Sequence, residues 1–256
     1  MDHATLEIDS AESVAIVGEN GAGKTTLVKL LNGLLRPSEG RVYVGDWNTK
    51  EFSIAQLAAR VGFLFQNPDE QLFERTVQRE VSFGPRNLGL SEATITRRVR
   101  ESLKSVGLAE LSESNPYDLL PFERKLLALA ATLAMHSPVL VLDEPSVGQD
   151  AAGRERIRRV LRDLHTMGRT LLIISHDLDF CAEHAERVVV MVDGRVLADG
   201  PAKEILSQAD ILNRAAVHPP QLVRLAQALR MSSAPLTKQD FVRSYSQWRR
   251  RKKKTA

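Results

Sequence analysis

Gly18-Glu19-Asn20-Gly21-Ala22-Gly23-Lys24-Thr25 is the stretch that decides the fold of this chain. It fits the P-loop pattern at every fixed position, and its flanks supply the strand-loop-helix context that the motif requires. The apolar run Val14-Ala15-Ile16-Val17 enters it as a buried strand. Leu27, Leu30, Leu31 and Leu34 leave it at helical spacing, which predicts a helix over those positions. Glycines let the backbone curl so that several N–H groups and the start of the helix face one anion. Gly18, Glu19, Asn20, Gly21, Ala22 and Gly23 are therefore the candidate phosphate cradle, with Thr26 beside it. Lys24 is placed to reach the β and γ phosphates, and the Thr25 hydroxyl is a candidate Mg²⁺ ligand.

Working outward, Val139-Leu140-Val141-Leu142-Asp143-Glu144-Pro145 is an apolar strand delivering two adjacent carboxylates at its C-terminal end. Ligands in open α/β sheets bind outside those strand ends, so the placement suits a nucleotide. Asp143 is a candidate for holding Mg²⁺ through water, and Glu144 for polarising the water that attacks a γ phosphate. Further strand signals are Val61-Gly62-Phe63-Leu64-Phe65 and Leu171-Leu172-Ile173-Ile174, with an Arg-rich helix around 157–164 before the latter. This alternation predicts a parallel sheet with helices packed on it. Arg41-Val42-Tyr43-Val44-Gly45 reads as a short strand after the turn Pro37-Ser38-Glu39-Gly40. The apolar runs at 188–191 and 195–198 bracket Asp193-Gly194, a tight hairpin. From 68 to about 134 the pattern is helical, with breaks expected at Gly84-Pro85, Gly89, Gly107 and Asn115-Pro116. Ile95, Val99 and Leu103 fall four apart, on one helix face.

With 256 residues, 43% of them hydrophobic, the chain can build one large domain with a small appendage. Its single cysteine, Cys181, excludes an internal disulfide and points to a reducing compartment. No N-terminal stretch resembles a signal peptide, and no run of about 18 apolar residues occurs. The expectation is a cytosolic chain that docks on a membrane protein. The net charge of +3 belongs to one segment, because Arg249-Arg250-Arg251-Lys252-Lys253-Lys254 supplies six positive charges and leaves a body at −3. The basic balance is thus no argument for nucleic-acid binding. That run is expected to be a disordered, solvated tail; attraction to anionic headgroups is the competing reading, to which Trp248 adds slight weight.

With both halves of a nucleotide site in place, the chain resembles the nucleotide-binding subunits of ABC transporters over nearly its whole length. Gln66 matches the family's Q-loop, Ser146-Val147-Gly148-Gln149-Asp150 its D-loop, and Ser175-His176-Asp177 its switch histidine after a strand. More narrowly, Phe65-Gln66-Asn67-Pro68-Asp69-Glu70-Gln71-Leu72-Phe73 and Phe83-Gly84-Pro85-Arg86-Asn87-Leu88-Gly89-Leu90 resemble the ATPases of energy-coupling factor importers for vitamins and transition-metal ions. His218-Pro219-Pro220-Gln221 resembles a motif of their C-terminal extension. The resemblance implies an α/β P-loop NTPase core with a parallel sheet over 1–208 and an inserted helical subdomain over about 68–134. It implies a short helical extension with a basic tail over 209–256. ATP and Mg²⁺ are the implied cofactors, and ATP hydrolysis energising solute import is the implied activity. Two ATP molecules would be sandwiched in a head-to-tail dimer, each between the P-loop of one subunit and the signature segment of the other. In that picture Gln66 contacts Mg²⁺ or the attacking water and relays nucleotide state, while His176 contacts the γ phosphate and orients Glu144. The implied partners are a second ABC ATPase subunit, a membrane scaffold and a substrate-binding membrane component. The chain would lie peripherally on the cytoplasmic face of the membrane and bind no specific nucleic acid. His3, His136, His165 and His184 read as structural.

One segment departs from the family pattern. Where the family opens a helix with Leu-Ser-Gly-Gly-Gln, this chain has Leu119-Leu120-Pro121-Phe122-Glu123, then Arg124-Lys125 and a helical run over 126–134. Apolar bulk replaces the serine hydroxyl and the close-approach glycines, although Pro121 can begin a helix. Leu120, Pro121, Phe122 and Glu123 form a degenerate signature and, with Asp150, the expected dimer interface. An asymmetric heterodimer follows as the expectation. Two other readings stay open: the ATPase of another ABC importer or exporter, and a catalytically weak ATP-binding regulatory subunit. The family's extra N-terminal strand and adenine-stacking aromatic do not fit before Lys24, so either the start is truncated or adenine is held less well.

Overall fold

The computed structural model describes residues 1–232 and 234–254. Its strands are β1 (Ser13–Val17), β2 (Tyr43–Val44), β3 (Trp47–Asn48), β4 (Val61–Leu64), β5 (Val139–Asp143), β6 (Thr170–Ile174), β7 (Arg187–Val192) and β8 (Arg195–Pro201). Its α-helices are α1 (Lys24–Lys29), α2 (Ile54–Ala58), α3 (Val77–Asn87), α4 (Glu92–Val106), α5 (Pro121–Ala134), α6 (Ala151–Thr166), α7 (Leu178–His184), α8 (Ala202–Ile205), α9 (Ala209–Arg214), α10 (Gln221–Ala228) and α11 (Lys238–Lys254). The described residues form two compact units, one made of 1–8, 13–24, 175–232 and 234–254, the other of 9–12 and 25–174.

In the first unit every residue of β1 is buried, as a strand covered on both faces must be. It runs parallel to β7, with Val14 opposite Arg187 and Val17 opposite Val190. β7 returns as antiparallel β8 through Asp193-Gly194, whose φ values of 46° and 76° are those of the hairpin turn that matches strand twist. Val17, Leu178, Val188, Val190, Ile205 and Leu212 make its core. The Gln221 N–H donates to Asp179 Oδ1 at 2.8 Å, so a carboxylate from α7 caps the start of α10 and complements its dipole. The basic run departs from the expected disorder, because α11 continues through it to Lys254. Thr237 caps this helix by accepting the Asp240 N–H at 3.1 Å. Arginine and lysine are good helix formers and are favoured at a C-terminus. Phe241 stacks on Tyr245 at 6.0 Å, Tyr245 on Trp248 at 5.5 Å, and the Lys252 ammonium lies 4.9 Å from the Trp248 ring. The side chains of Arg251, Lys253 and Lys254 lie outside the described set.

The second unit carries the parallel strands β4, β5 and β6, with Val61 opposite Val139 and Asp143 opposite Ile174. Helices α3, α4 and α5 pack on one another. α4 buries Ile95, Val99, Leu103 and Val106 along one stripe, starts at the Ser91 cap and ends at Gly107 in the left-handed conformation. Contrary to expectation, α3 runs unbroken through Gly84-Pro85. A Cβ on Gly84 would lie 2.1 Å from Met135 Sδ, so the glycine permits close helix packing, and Pro85 costs α3 one backbone donor without ending it. α1 stops at Lys29 and does not reach Leu34. Gly33 turns the chain at φ 74°, Asn32 Oδ1 accepts the Leu34 N–H at 3.1 Å, and Leu34 is exposed. The strand expected over 41–45 keeps only Tyr43 and Val44, paired with β3. No helix among the described residues is long and apolar enough to cross a membrane.

Candidate nucleotide site

The loop leaving β1 is a closed curl around an ammonium. Gly18 has φ 152°, and a Cβ there would lie 2.2 Å from Met191 O, so only glycine fits beside β7. Gly21 and Gly23, at φ 86° and 97°, complete the bend. The Ala22 N–H closes onto Glu19 O at 3.2 Å, and the Gly194 N–H at the hairpin tip holds Ala22 O at 3.0 Å. Lys24 is buried, and its Nζ donates to Gly18 O at 2.9 Å and Glu19 O at 2.8 Å. Glu19, Asn20 and Thr26 are exposed. In the same unit His176 is exposed, and the next residue, Asp177, caps α7 by accepting the Phe180 N–H at 3.0 Å.

The second unit holds the carboxylates. The Thr25 hydroxyl donates to Asp143 Oδ2 at 2.9 Å, bringing together two hard oxygen donors of the kind Mg²⁺ takes. Asp143 and Glu144 are 3% and 7% exposed. Glu144 has φ 49°, a conformation that costs a non-glycine residue about 1 kcal/mol or more and is common at functional sites. It is held there by its N–H donating to Ile174 O at 2.9 Å.

Gln66 is exposed immediately past β4, and its backbone is fixed by a residue that sequence reasoning passed over. Lys125, 3% exposed, donates from Nζ to Phe65 O at 2.7 Å, Gln66 O at 2.6 Å and Asp143 O at 3.2 Å. Burial pushes its ammonium down to about 8, against the opposing pull of Asp143 and Glu144. The available signal was its spacing, since Lys125 shares a helical stripe with buried Ala128, Leu129 and Thr132.

As expected, Pro121 begins α5. The Leu120 N–H is taken by Glu123 Oε2 at 2.9 Å, and the Leu120 side chain offers no hydroxyl and is 55% exposed. Gln149 Nε2 donates to Phe122 O at 3.0 Å, while Asp150 caps α6 by accepting the Gly153 N–H at 2.7 Å. An open cavity of about 530 Å³ is lined by Gln66, Pro121, Arg124, Lys125, Val147 and Gly148.

The family profile described as ABC transporter matches residues 1–147, which include the loop, Gln66, Asp143 and Glu144. The chain belongs to the ABC transporter family. It is 39% identical over 226 residues to the energy-coupling factor transporter ATP-binding protein EcfA of Methanocaldococcus jannaschii, covering 88% of this chain and 81% of that protein. With EcfA2 of Clostridium perfringens the identity is 36% over 246 residues, 94% of this chain and 86% of the relative. The solved structure of cbiO1 from Clostridium perfringens, part of the ABC transporter complex cbiONQ, superposes with a TM-score of 0.70 at 33% identity. That match covers 88% of this chain and 90% of the other. The resemblance read from the motifs is thereby borne out: this is an ABC-type ATPase subunit with a P-loop NTPase fold.

Proposed function

We propose that this ABC ATPase energises an energy-coupling factor importer for a vitamin or a transition-metal ion, as one half of an asymmetric dimer with a second ABC ATPase subunit. The observation that carries the asymmetry is the start of α5. Leu120, Pro121 and Phe122 present apolar surface where a partner's γ phosphate would need donors, while for the chain's own nucleotide Lys24 and Thr25 keep their donors and Asp143 and Glu144 their carboxylates. The relatives named as energy-coupling factor ATPases support the importer assignment.

On this reading residues 18–26 cradle the phosphates of ATP, and Lys24 exchanges the carbonyls of Gly18 and Glu19 for phosphate oxygens. Thr25 and Asp143, with Gln66, would hold Mg²⁺, which supplies charge neutralisation between the β and γ phosphates. Glu144 polarises the attacking water, and His176 donates to the γ phosphate as charge develops. The ATPase domain is taken as 1–208 with its helical subdomain at about 68–134, followed by the extension 209–256. Phe73 and Phe83 form an exposed edge-to-face pair, with ring centroids 4.7 Å apart. Affinity purification of the full chain from solubilised membranes tests the assignment. It should recover a second ABC ATPase with an intact Leu-Ser-Gly-Gly-Gln segment together with a small membrane scaffold. Recovery of an identical copy alone, or of ribosomal or DNA-associated proteins, would overturn it.

A further inference from the structure

Lys125 lies outside the segments read above as motifs, yet its buried ammonium is fully engaged. An ammonium has three N–H donors and no acceptor. All three are taken by backbone carbonyls, at 2.7 Å from Phe65, 2.6 Å from Gln66 and 3.2 Å from Asp143. Two of these carbonyls lie where β4 runs out into the Gln66 loop, and the third lies at the end of β5 beside Glu144. Hydrogen bonds from a charged donor in a buried setting are the strong ones, so this single group pins two chain segments to each other.

The group doing the pinning sits one turn into α5, whose first residues are the degenerate signature. Around it the same segments are laced to α5 repeatedly. Arg124 pairs with Asp69 at 2.8 Å, Gln149 Nε2 reaches Phe122 O, and Gln71 Nε2 donates to Ala128 O and Thr132 Oγ1 at 3.2 Å each. The first turns of α5 therefore cannot shift without drawing on the carbonyl ends of β4 and β5.

We propose that Lys125 is a positioning residue for ATP hydrolysis, fixing Gln66 against Asp143 and transmitting displacement of the signature end of α5 to both. This rests on the reading of Gln66 and Asp143 as parts of the catalytic centre. It goes beyond that reading in assigning a mechanical link between the surface that meets a partner's nucleotide and the chain's own carboxylates. Phosphate binding by residues 18–24 does not pass through Lys125. The consequence falls on turnover and leaves ATP affinity in place.

The test uses the full chain in its purified transporter assembly, with Lys125→Met, Lys125→Arg and, as a control on the underlying reading, Glu144→Gln. In Lys125→Met, kcat should fall about 10–100-fold, the scale expected when reacting groups are displaced by about an ångström, with KM for ATP changed less than about threefold. Lys125→Arg, which retains donors, should recover part of the loss. Amide hydrogen exchange without nucleotide should speed up at 65–70 and 143–146 in the methionine variant and remain slow along 126–134. An unchanged kcat in folded Lys125→Met overturns the proposal, as does a loss shared equally by kcat and KM with no recovery by arginine. If Lys125→Met fails to fold, Lys125→Gln decides by the same readings. If Glu144→Gln itself retains full turnover, the fault lies in the catalytic reading, and the exchange data alone then judge whether Lys125 pins the two segments.

Discussion

Lys24 and Glu144 act at different moments, and their substitutions should separate accordingly. Lys24→Ala removes a group that meets phosphate oxygens in the ground state, so nucleotide affinity itself should fall. Glu144→Gln leaves those contacts intact and should bind ATP normally while losing on the order of 10²-fold or more in turnover. Equilibrium binding beside steady-state hydrolysis distinguishes the two, and normal turnover in the glutamine variant would remove Glu144 from its role. Glu80 poses a different question, since it is buried and its Oε2 accepts the N–H groups of Phe73 and Glu74 at 2.8 and 2.7 Å. Burial raises its carboxyl above the ordinary value of 4.5 despite those two donors. Glu80→Gln keeps one oxygen for both N–H groups and discards the desolvated charge. It should therefore melt no lower than the parent at pH 7, whereas Glu80→Ala strands two donors and should cost about 1–3 kcal/mol. A raised carboxyl contributes stability that is complete below the unfolded value and is lost as pH climbs through the folded one. The glutamine variant should therefore gain on the parent between about pH 4.5 and pH 7, measured by urea unfolding at each pH.

At the scale of elements, legibility followed burial. β1, β5 and β6 were readable as uninterrupted apolar runs because each is covered on both faces, and the hairpin was readable from Asp193-Gly194. Helix ends were less so: α1 stops where Asn32-Gly33 reverses the chain, and Gly84-Pro85, a break by local chemistry, is absorbed by packing against Met135. In the site, the loop and the paired carboxylates declared themselves because their chemistry is local in sequence. Lys125 did not, since its three carbonyls stand 60, 59 and 18 residues away and nothing in its own neighbourhood announces them. The junction of α7 and α10 was equally invisible, being one carboxylate accepting one N–H across 42 residues. Asp179→Ala should destabilise that junction by about 1 kcal/mol, as loss of a helix cap does. Hydrogen exchange should show α10 opening before the rest of its unit, and uniform protection there would argue that Asp179 does not hold the helix.

For the whole molecule, the charge asymmetry and the asymmetry of the nucleotide sites make separate predictions. α11 carries the basic run next to the stacked rings of Tyr245 and Trp248, a composition suited to an anionic bilayer surface. At roughly 1 kcal/mol per basic residue near such a surface, the run should draw the full chain onto phosphatidylglycerol-containing vesicles at low salt and release it at high salt. Truncation after Gln247 should abolish the co-sedimentation, and equal binding by the truncated chain would make the run merely solvated. The central claim, that this ABC ATPase supplies the active half of an unequal pair, turns on comparing two assemblies in steady-state ATP hydrolysis. One carries Glu144→Gln, and the other carries the same change at the corresponding glutamate of the second ATPase. The asymmetric account predicts near-complete loss from Glu144→Gln and a much smaller loss from the partner change, because the partner's nucleotide would face Leu120 and Pro121; equal losses from the two would contradict it.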